Sequence, residues 1–251
     1  MNDAVNDLGG SVPAGSGGGV PVDARTLISV MGELAVPPCG IERTSVVPLG
    51  AGRRENDAEH SFALGLVALC LAPLVDGTLD LGLIAKYALV HDLPEIHSGD
   101  VSVYADPADL EKKALREEEA RETITRDFGE LFPWLIQEMY GYKAQGDPES
   151  RFVYALDKLL PHVNVLLADY HPVRPTWEAY KHTEEVARRK INASCPALIP
   201  LFEELCREFA QRPHLFSGVP GSSGVSGATR SSRGARDDDG REGEQGGPGH
   251  G

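Results

Sequence analysis

Four side chains from separate parts of the chain have the chemistry to share a cation. His60 lies in the run DAEHSFALGL, His91 and Asp92 are adjacent at the end of DLGLIAKYALVHD, and Asp157 sits within VYALDKLL. Each has an ordinary explanation when taken alone. A histidine at the end of an apolar helix is more often a satisfied core residue than a ligand. The aspartate is harder to place, because a buried carboxylate is costly unless it is paired or bound to a metal. Its neighbour Lys158 is adjacent in sequence, and adjacent helical residues do not face each other. Taken together, two imidazoles and two carboxylates suit one divalent cation, with positions left for water and substrate. Spacing alone leaves four unrelated core residues as the alternative.

Helices must position these groups. Residues 24–35 space Leu27, Val30, Met31 and Leu34 at helical intervals. Residues 36–56 carry Pro37, Pro38, Gly40, Pro48, Gly50 and Gly52 and are expected to be irregular. An apolar helix over 57–75 follows, with Asp57 as its expected N-cap, then a second over 80–91 capped by Asp80. The segment HDLPEIHSGDVSVYAD is polar and rich in turn residues. Residues 107–128 are charged at helical spacing, with Pro107 suited to a first helical position and i,i+4 ion pairs to a solvated face. Further helices are expected over 133–143, 148–170 (kinked near Pro161, whose ring excludes the carbonyl of Asp157), 175–192 and 196–211. Nothing reads as a strand. The expected fold is all-α: one helical globule over residues 23–216, with the helices 57–75, 80–91 and 148–170 at its centre.

Composition narrows the function. Of 28 glycines, 6 fall in residues 1–22 and 11 in residues 217–251, and the last 35 residues have no aromatic side chain. Such segments cannot bury enough apolar area to offset chain entropy, so residues 1–22 and 217–251 are expected to be disordered tails. The net charge is −14; the tails hold −2 and −1, which leaves −11 on the globule. An acidic body argues against a polynucleotide partner, which needs a broad basic face, but not against one small phosphorylated ligand. No stretch reaches 18 consecutive apolar residues, so no membrane span is expected. MNDAVNDLGG has neither the basic start nor the apolar core of a secretion signal. Cys39, Cys70, Cys195 and Cys206 show no CxxC pattern; Cys70, in an apolar run, is expected to be a buried thiol, and a cytoplasmic protein without disulfides is the simplest reading.

The segments RRENDAEHSFALGLVALCLA, ALVHDLPEIHSGD and RFVYALDKLL together resemble the HD-domain metal-dependent phosphohydrolases, and within them the 5′-deoxynucleotidase branch. The pattern H…HD…D falls on His60, His91-Asp92 and Asp157, and HDxxE…GD continues it through Glu95, Gly99 and Asp100. KALREEEA also fits that branch. The resemblance covers residues 26–170 or so. It implies that His60, His91, Asp92 and Asp157 ligate one divalent ion such as Co²⁺ or Mn²⁺. It makes Glu95 the general acid/base, and it sets Asp100 against the sugar and a metal-bound water. Arg43 falls where that branch carries a phosphate-contacting arginine; Arg53 and Arg54, just before His60, are further candidates, since arginine forks match phosphate oxygens. His97 is expected to be exposed. Two positions depart from the branch: Thr44 stands where a tryptophan is typical, and Val101 where a threonine is. Both touch sugar or base there, so the resemblance does not settle sugar preference. The activity implied is hydrolysis of (deoxy)nucleoside 5′-monophosphates to nucleoside and phosphate. The alternatives are an HD triphosphohydrolase that releases tripolyphosphate from a deoxynucleoside triphosphate, and a non-catalytic HD fold that senses a ligand. A homodimer is implied by the resemblance alone.

Overall fold

The structure, a computed structural model, describes residues 23–48, 52–100 and 107–219. The two expected tails fall outside these residues, apart from 217–219. Ser217 bridges to Thr176, and its N–H donates to the Pro175 carbonyl at 3.0 Å. The described residues therefore run past residue 216.

Helices dominate. α1 (Ala24–Ser29) is capped by Asp23 and continues as a wider π-type turn over Val30–Ala35, followed by a 3₁₀ turn at Pro37–Gly40. Two strands then follow where none was expected: β1 (Glu42–Val46) and β2 (Arg54–Asn56) form an antiparallel hairpin, pairing Glu42 with Asn56 and Val46 with Arg54. Their sequences, ERTSV and REN, carry no apolar alternation to announce them. Side chains fix the hairpin instead. Asn164, buried on the helix over Pro148–Ala168, donates to Ser45 Oγ at 3.4 Å and to Glu55 Oε1 at 3.1 Å, so it ties both strands to the helical core.

The central helices are α2 (Asp57–Val75), α3 (Leu81–Val90) and α7 (Pro148–Ala168). Their inner faces interlock: Leu64, Ala68 and Ala72 on α2 meet Ile84, Tyr87 and Ala88 on α3 and Phe152, Leu156 and Leu160 on α7. The alanines let α2 and α3 approach closely, while the larger side chains of α7 fill the space between them. α7 continues through Pro161 and ends at Asp169, which takes the left-handed conformation (φ 49°). Around this core lie α4 (Glu95–Ser98), α5 (Pro107–Phe128), α6 (Pro133–Ala144), α8 (Trp177–Ser194) and α9 (Ile199–Ala210), with a 3₁₀ turn at Pro196–Leu198 leading into α9.

Two expectations about α2 are corrected. Its N-cap is Asn56, not Asp57: Asn56 Oδ1 accepts the Glu59 N–H at 2.9 Å, and Glu59 Oε2 accepts the Asn56 N–H at 3.1 Å. This reciprocal box satisfies two otherwise orphaned donors and turns Asp57 inward. Cys70 is exposed rather than buried, on a face of α2 that also exposes Phe62, Leu66 and Leu74. By length and composition α2 is apolar enough to cross a membrane, although no 18-residue stretch of the sequence is wholly apolar; its opposite face packs on α3 and α7.

Candidate metal centre

Each candidate ligand sits at a point its element controls. The Asn56–Glu59 box starts α2 so that His60, in its first turn, is fully buried. Asp80 starts α3 by accepting the N–H groups of Gly82 and Leu83, and the helix ends so that His91 and Asp92 follow at its inner end. α7 carries Asp157 between Leu156 and the half-buried Lys158, with the carboxylate 4% exposed. One donor atom from each of His60, His91, Asp92 and Asp157 lies within 4.8 Å of every other.

The hydrogen bonds decide which imidazole nitrogens face this cluster. His91 Nδ1 is 3.0 Å from the Ala88 carbonyl oxygen, which can only accept, so Nδ1 carries a proton. In the neutral ring Nε2 is then a bare lone pair. It is buried without a hydrogen-bond partner, 2.9 Å from Asp92 Oδ2 and 4.0 Å from Asp157 Oδ1. His60 differs: its Nε2 is hydrogen-bonded to Asp157 Oδ1 at 3.0 Å, while its Nδ1 faces Glu55 Oε2 at 3.5 Å. A carboxylate behind the outer nitrogen is the usual way to fix a metal-binding histidine. At His91 a lone pair and carboxylate oxygens converge, and they repel unless a cation joins them. The donor set therefore fits a divalent first-row ion. In the protein alone, burial opposes protonation of His60, but its bonds to Asp157 and Glu55 win and lift it to about 9. Burial also opposes the charge of Asp157, yet Lys158 and His60 hold it well below the usual carboxylate range. Lys158 Nζ is 2.6 Å from Asp157 Oδ2, so the two adjacent residues do meet, and Tyr142 donates to the same oxygen at 3.4 Å.

Arg43, carried inward by β1, is the central positive charge. Its Nη1 lies 3.0 Å from Asp57 Oδ1, 2.5 Å from Asp92 Oδ2 and 4.0 Å from Glu95 Oε2, and its Nη2 is 3.9 Å from Asp157 Oδ1. Burial, with repulsion from Asp92, outweighs the pull of Arg43 and raises Asp57 to about 6.

Glu95 opens α4, 5% exposed, one turn beyond Asp92. α4 ends at Gly99, whose φ of +70° is open to glycine at little cost. That turn directs Asp100 back toward β1, where its Oδ2 accepts the Thr44 N–H at 3.2 Å. Lys113 on α5 closes the cluster: its Nζ is 2.8 Å from Glu95 Oε1 and 3.6 Å from Asp100 Oδ1. Burial and the charge of Asp92 push Glu95 up to about 9 against the pull of Lys113.

The structure thus gathers His60, His91, Asp92, Asp157, Glu95, Asp100 and Arg43. It does not gather Arg53 and Arg54. Arg53 pairs with Glu59 at 2.7 Å, its side chain half exposed, and Arg54 is exposed on the hairpin. His97 is exposed, and Val101 lies outside the described residues. Sequence reasoning missed Glu55, Asp57 and Lys113. The pattern N-x-x-E at Asn56–Glu59 is a capping-box signal that releases Asp57 from the cap. Glu55 had no signal, because its partner Asn164 lies 109 residues away. Lys113 read as one charge among many on a solvated helix.

Residues 40–198 match the family described as HD domain, more than half of the chain. The chain belongs to the HD domain family. This HD domain is 31% identical over 139 residues to 5′-deoxynucleotidase HDDC2 of Homo sapiens, across 54% of the chain and 64% of that protein. It is 30% identical over 122 residues to 5′-deoxynucleotidase hdd1 of Schizosaccharomyces pombe, across 46% of the chain and 59% of that protein. The matched stretch thus spans less than two thirds of the length of either relative. Among solved structures, the HD domain is similar to a predicted metal-dependent phosphohydrolase from Magnetospirillum magnetotacticum MS-1. The TM-score is 0.62 at 28% identity, over 76% of this chain and 94% of that one.

Proposed function

We propose that this HD domain is a metal-dependent phosphohydrolase that cleaves (deoxy)nucleoside 5′-monophosphates to nucleoside and phosphate. The observation that carries the proposal is the convergence of donor atoms from His60, His91, Asp92 and Asp157 within 4.8 Å of one another, with the Nε2 of His91 buried and unpartnered, one helical turn from a buried glutamic acid. The similarity to two 5′-deoxynucleotidases supports the substrate class. His60, His91, Asp92 and Asp157 would hold one divalent ion, with Co²⁺ and Mn²⁺ the first candidates. Such an ion polarises a phosphoryl oxygen and lowers the pKa of a bound water.

The remaining groups divide the work. Arg43 brings a guanidinium, suited to phosphate oxygens, into the carboxylate cluster. Asp100, held by the Thr44 N–H and 3.6 Å from Lys113 Nζ, would take the sugar and water side. In the reaction a water oxygen bonds to phosphorus as the bond from phosphorus to the 5′ oxygen breaks. The leaving oxygen needs a proton. Glu95, whose pKa is pushed up by burial and by the charge of Asp92 in the protein alone, is placed to give it and to recover it from the attacking water.

The test is a screen of all nucleoside mono- and triphosphates with the purified protein, stripped of metal and then supplied with Co²⁺ or Mn²⁺. The expected result is release of inorganic phosphate from 5′-monophosphates, abolished by EDTA and restored by the metal. Tripolyphosphate from triphosphates with no action on monophosphates would replace the proposal with the triphosphohydrolase reading. No turnover of any nucleotide or generic phosphoester with either metal would leave the ligand-sensing reading.

A further inference from the structure

Among the described residues, Lys113 is the one cation that reaches Glu95 from outside the expected motif. It comes from α5, 18 residues further along the chain, and its side chain is only 18% exposed. Its ammonium group has three donors and no acceptor. At 2.8 Å from Glu95 Oε1, it therefore requires that oxygen to accept. Since the more basic, unprotonated oxygen is the better acceptor, the bond favours Oε2 as the site of a proton on Glu95. That oxygen is buried without a hydrogen-bond partner and lies 4.0 Å from Arg43 Nη1, on the side where the candidate metal ligands converge. The same ammonium is 3.6 Å from Asp100 Oδ1, so one side chain spans the two acids proposed to act on substrate.

From this geometry we infer that Lys113 is a positioning residue: its hydrogen bond selects Glu95 Oε2 as the oxygen that exchanges a proton with substrate and holds it toward the reaction centre. The inference rests on the hydrolase reading above. Without Lys113 the carboxyl group can turn, and its proton can occupy either oxygen. A methionine in its place keeps much of the side-chain bulk and removes the donor. An arginine keeps a group that can donate but not accept.

The experiment compares wild type, Lys113→Met, Lys113→Arg, Glu95→Gln and the double variant Lys113→Met/Glu95→Gln, each loaded with Co²⁺ and assayed on a 5′-monophosphate. Bound metal and thermal midpoint are measured alongside. The expected kcat of Lys113→Met is lower by about 10- to 100-fold, the scale for outer partners of functional groups. KM should stay within about threefold and metal content should not change. Lys113→Arg should recover most of the loss. In the Glu95→Gln background, Lys113→Met should cost nothing further, since its target is gone. Full turnover in Lys113→Met, an equal additional loss on top of Glu95→Gln, or a loss traced to missing metal would each overturn the inference while leaving the hydrolase reading intact. An inactive wild type would instead remove the hydrolase reading and this inference with it.

Discussion

Asp157→Ala is expected to leave a folded protein that has lost most of its metal, with turnover reduced by at least about 100-fold, since even outer-shell partners of a metal site are worth 10- to 100-fold. Asp157 is the candidate ligand with the most partners. His60 Nε2, Tyr142 Oη and Lys158 Nζ all lie within 3.4 Å of its carboxylate, which sits in the packed middle of α7. Removing it takes away one of two formal charges in the proposed set. It also leaves His60 without the acceptor that balances Glu55 on the far side of the ring. Breaking a buried ionic contact from one side costs roughly 3–5 kcal/mol in general. Lys158 is about a third exposed and can turn to water, so the cost to folding here should fall at the low end. Asp157→Asn keeps the volume and the link to Tyr142 but not the charge, so it separates folding from metal binding. Metal per protomer after dialysis, read beside the circular dichroism spectrum, checks the prediction. Full metal content in both variants would remove Asp157 from the ligand set.

Glu95→Gln should behave differently. General acid–base catalysis is worth about 10²- to 10⁴-fold, so kcat should fall by that range while bound metal and KM change little. The side chain lies beside the proposed ligands rather than among them: Oε1 is committed to Lys113, and Oε2 approaches Arg43 no closer than 4.0 Å. A glutamine retains the shape and can still accept from Lys113. It cannot deliver a proton to a leaving oxygen. A substrate whose leaving group is a good anion, such as a nitrophenyl phosphate, needs that proton less, so it should lose less activity than a nucleotide. Equal loss on both substrates would point away from a general acid, and loss of metal from Glu95→Gln would make Glu95 a ligand instead.

The parts of this site differ in how visible they are from sequence. His60, His91, Asp92 and Asp157 stand out because each is a polar group inside or beside an apolar helix, where burial has a clear cost, whereas Glu95 and Asp100 were legible only by resemblance. The long helices were equally legible: α2 spans 57–75 and α5 spans 107–128 as periodicity suggests. The hairpin was not, because β1 and β2 are short and polar and take their register from Asn164 on a distant helix. The inward turn of Asp57 and the outward turn of Arg53 have one cause. Asn56 and Glu59 cap α2 together, and Glu59 also accepts from Arg53, holding that arginine on the surface. Arg43 could be placed near phosphate only by resemblance. Its position among Asp57, Asp92, Glu95 and Asp157 follows from the fold of the hairpin, which no local pattern encodes.

The most direct test is anomalous diffraction from crystals of the full chain grown with Co²⁺, recorded on both sides of the cobalt absorption edge. One strong peak per protomer should appear, within roughly 2.0–2.2 Å of both histidine Nε2 atoms and of an oxygen from each of Asp92 and Asp157, the span usual for such ligands. A peak bound elsewhere, or none at this cluster in crystals saturated with cobalt, would contradict the account.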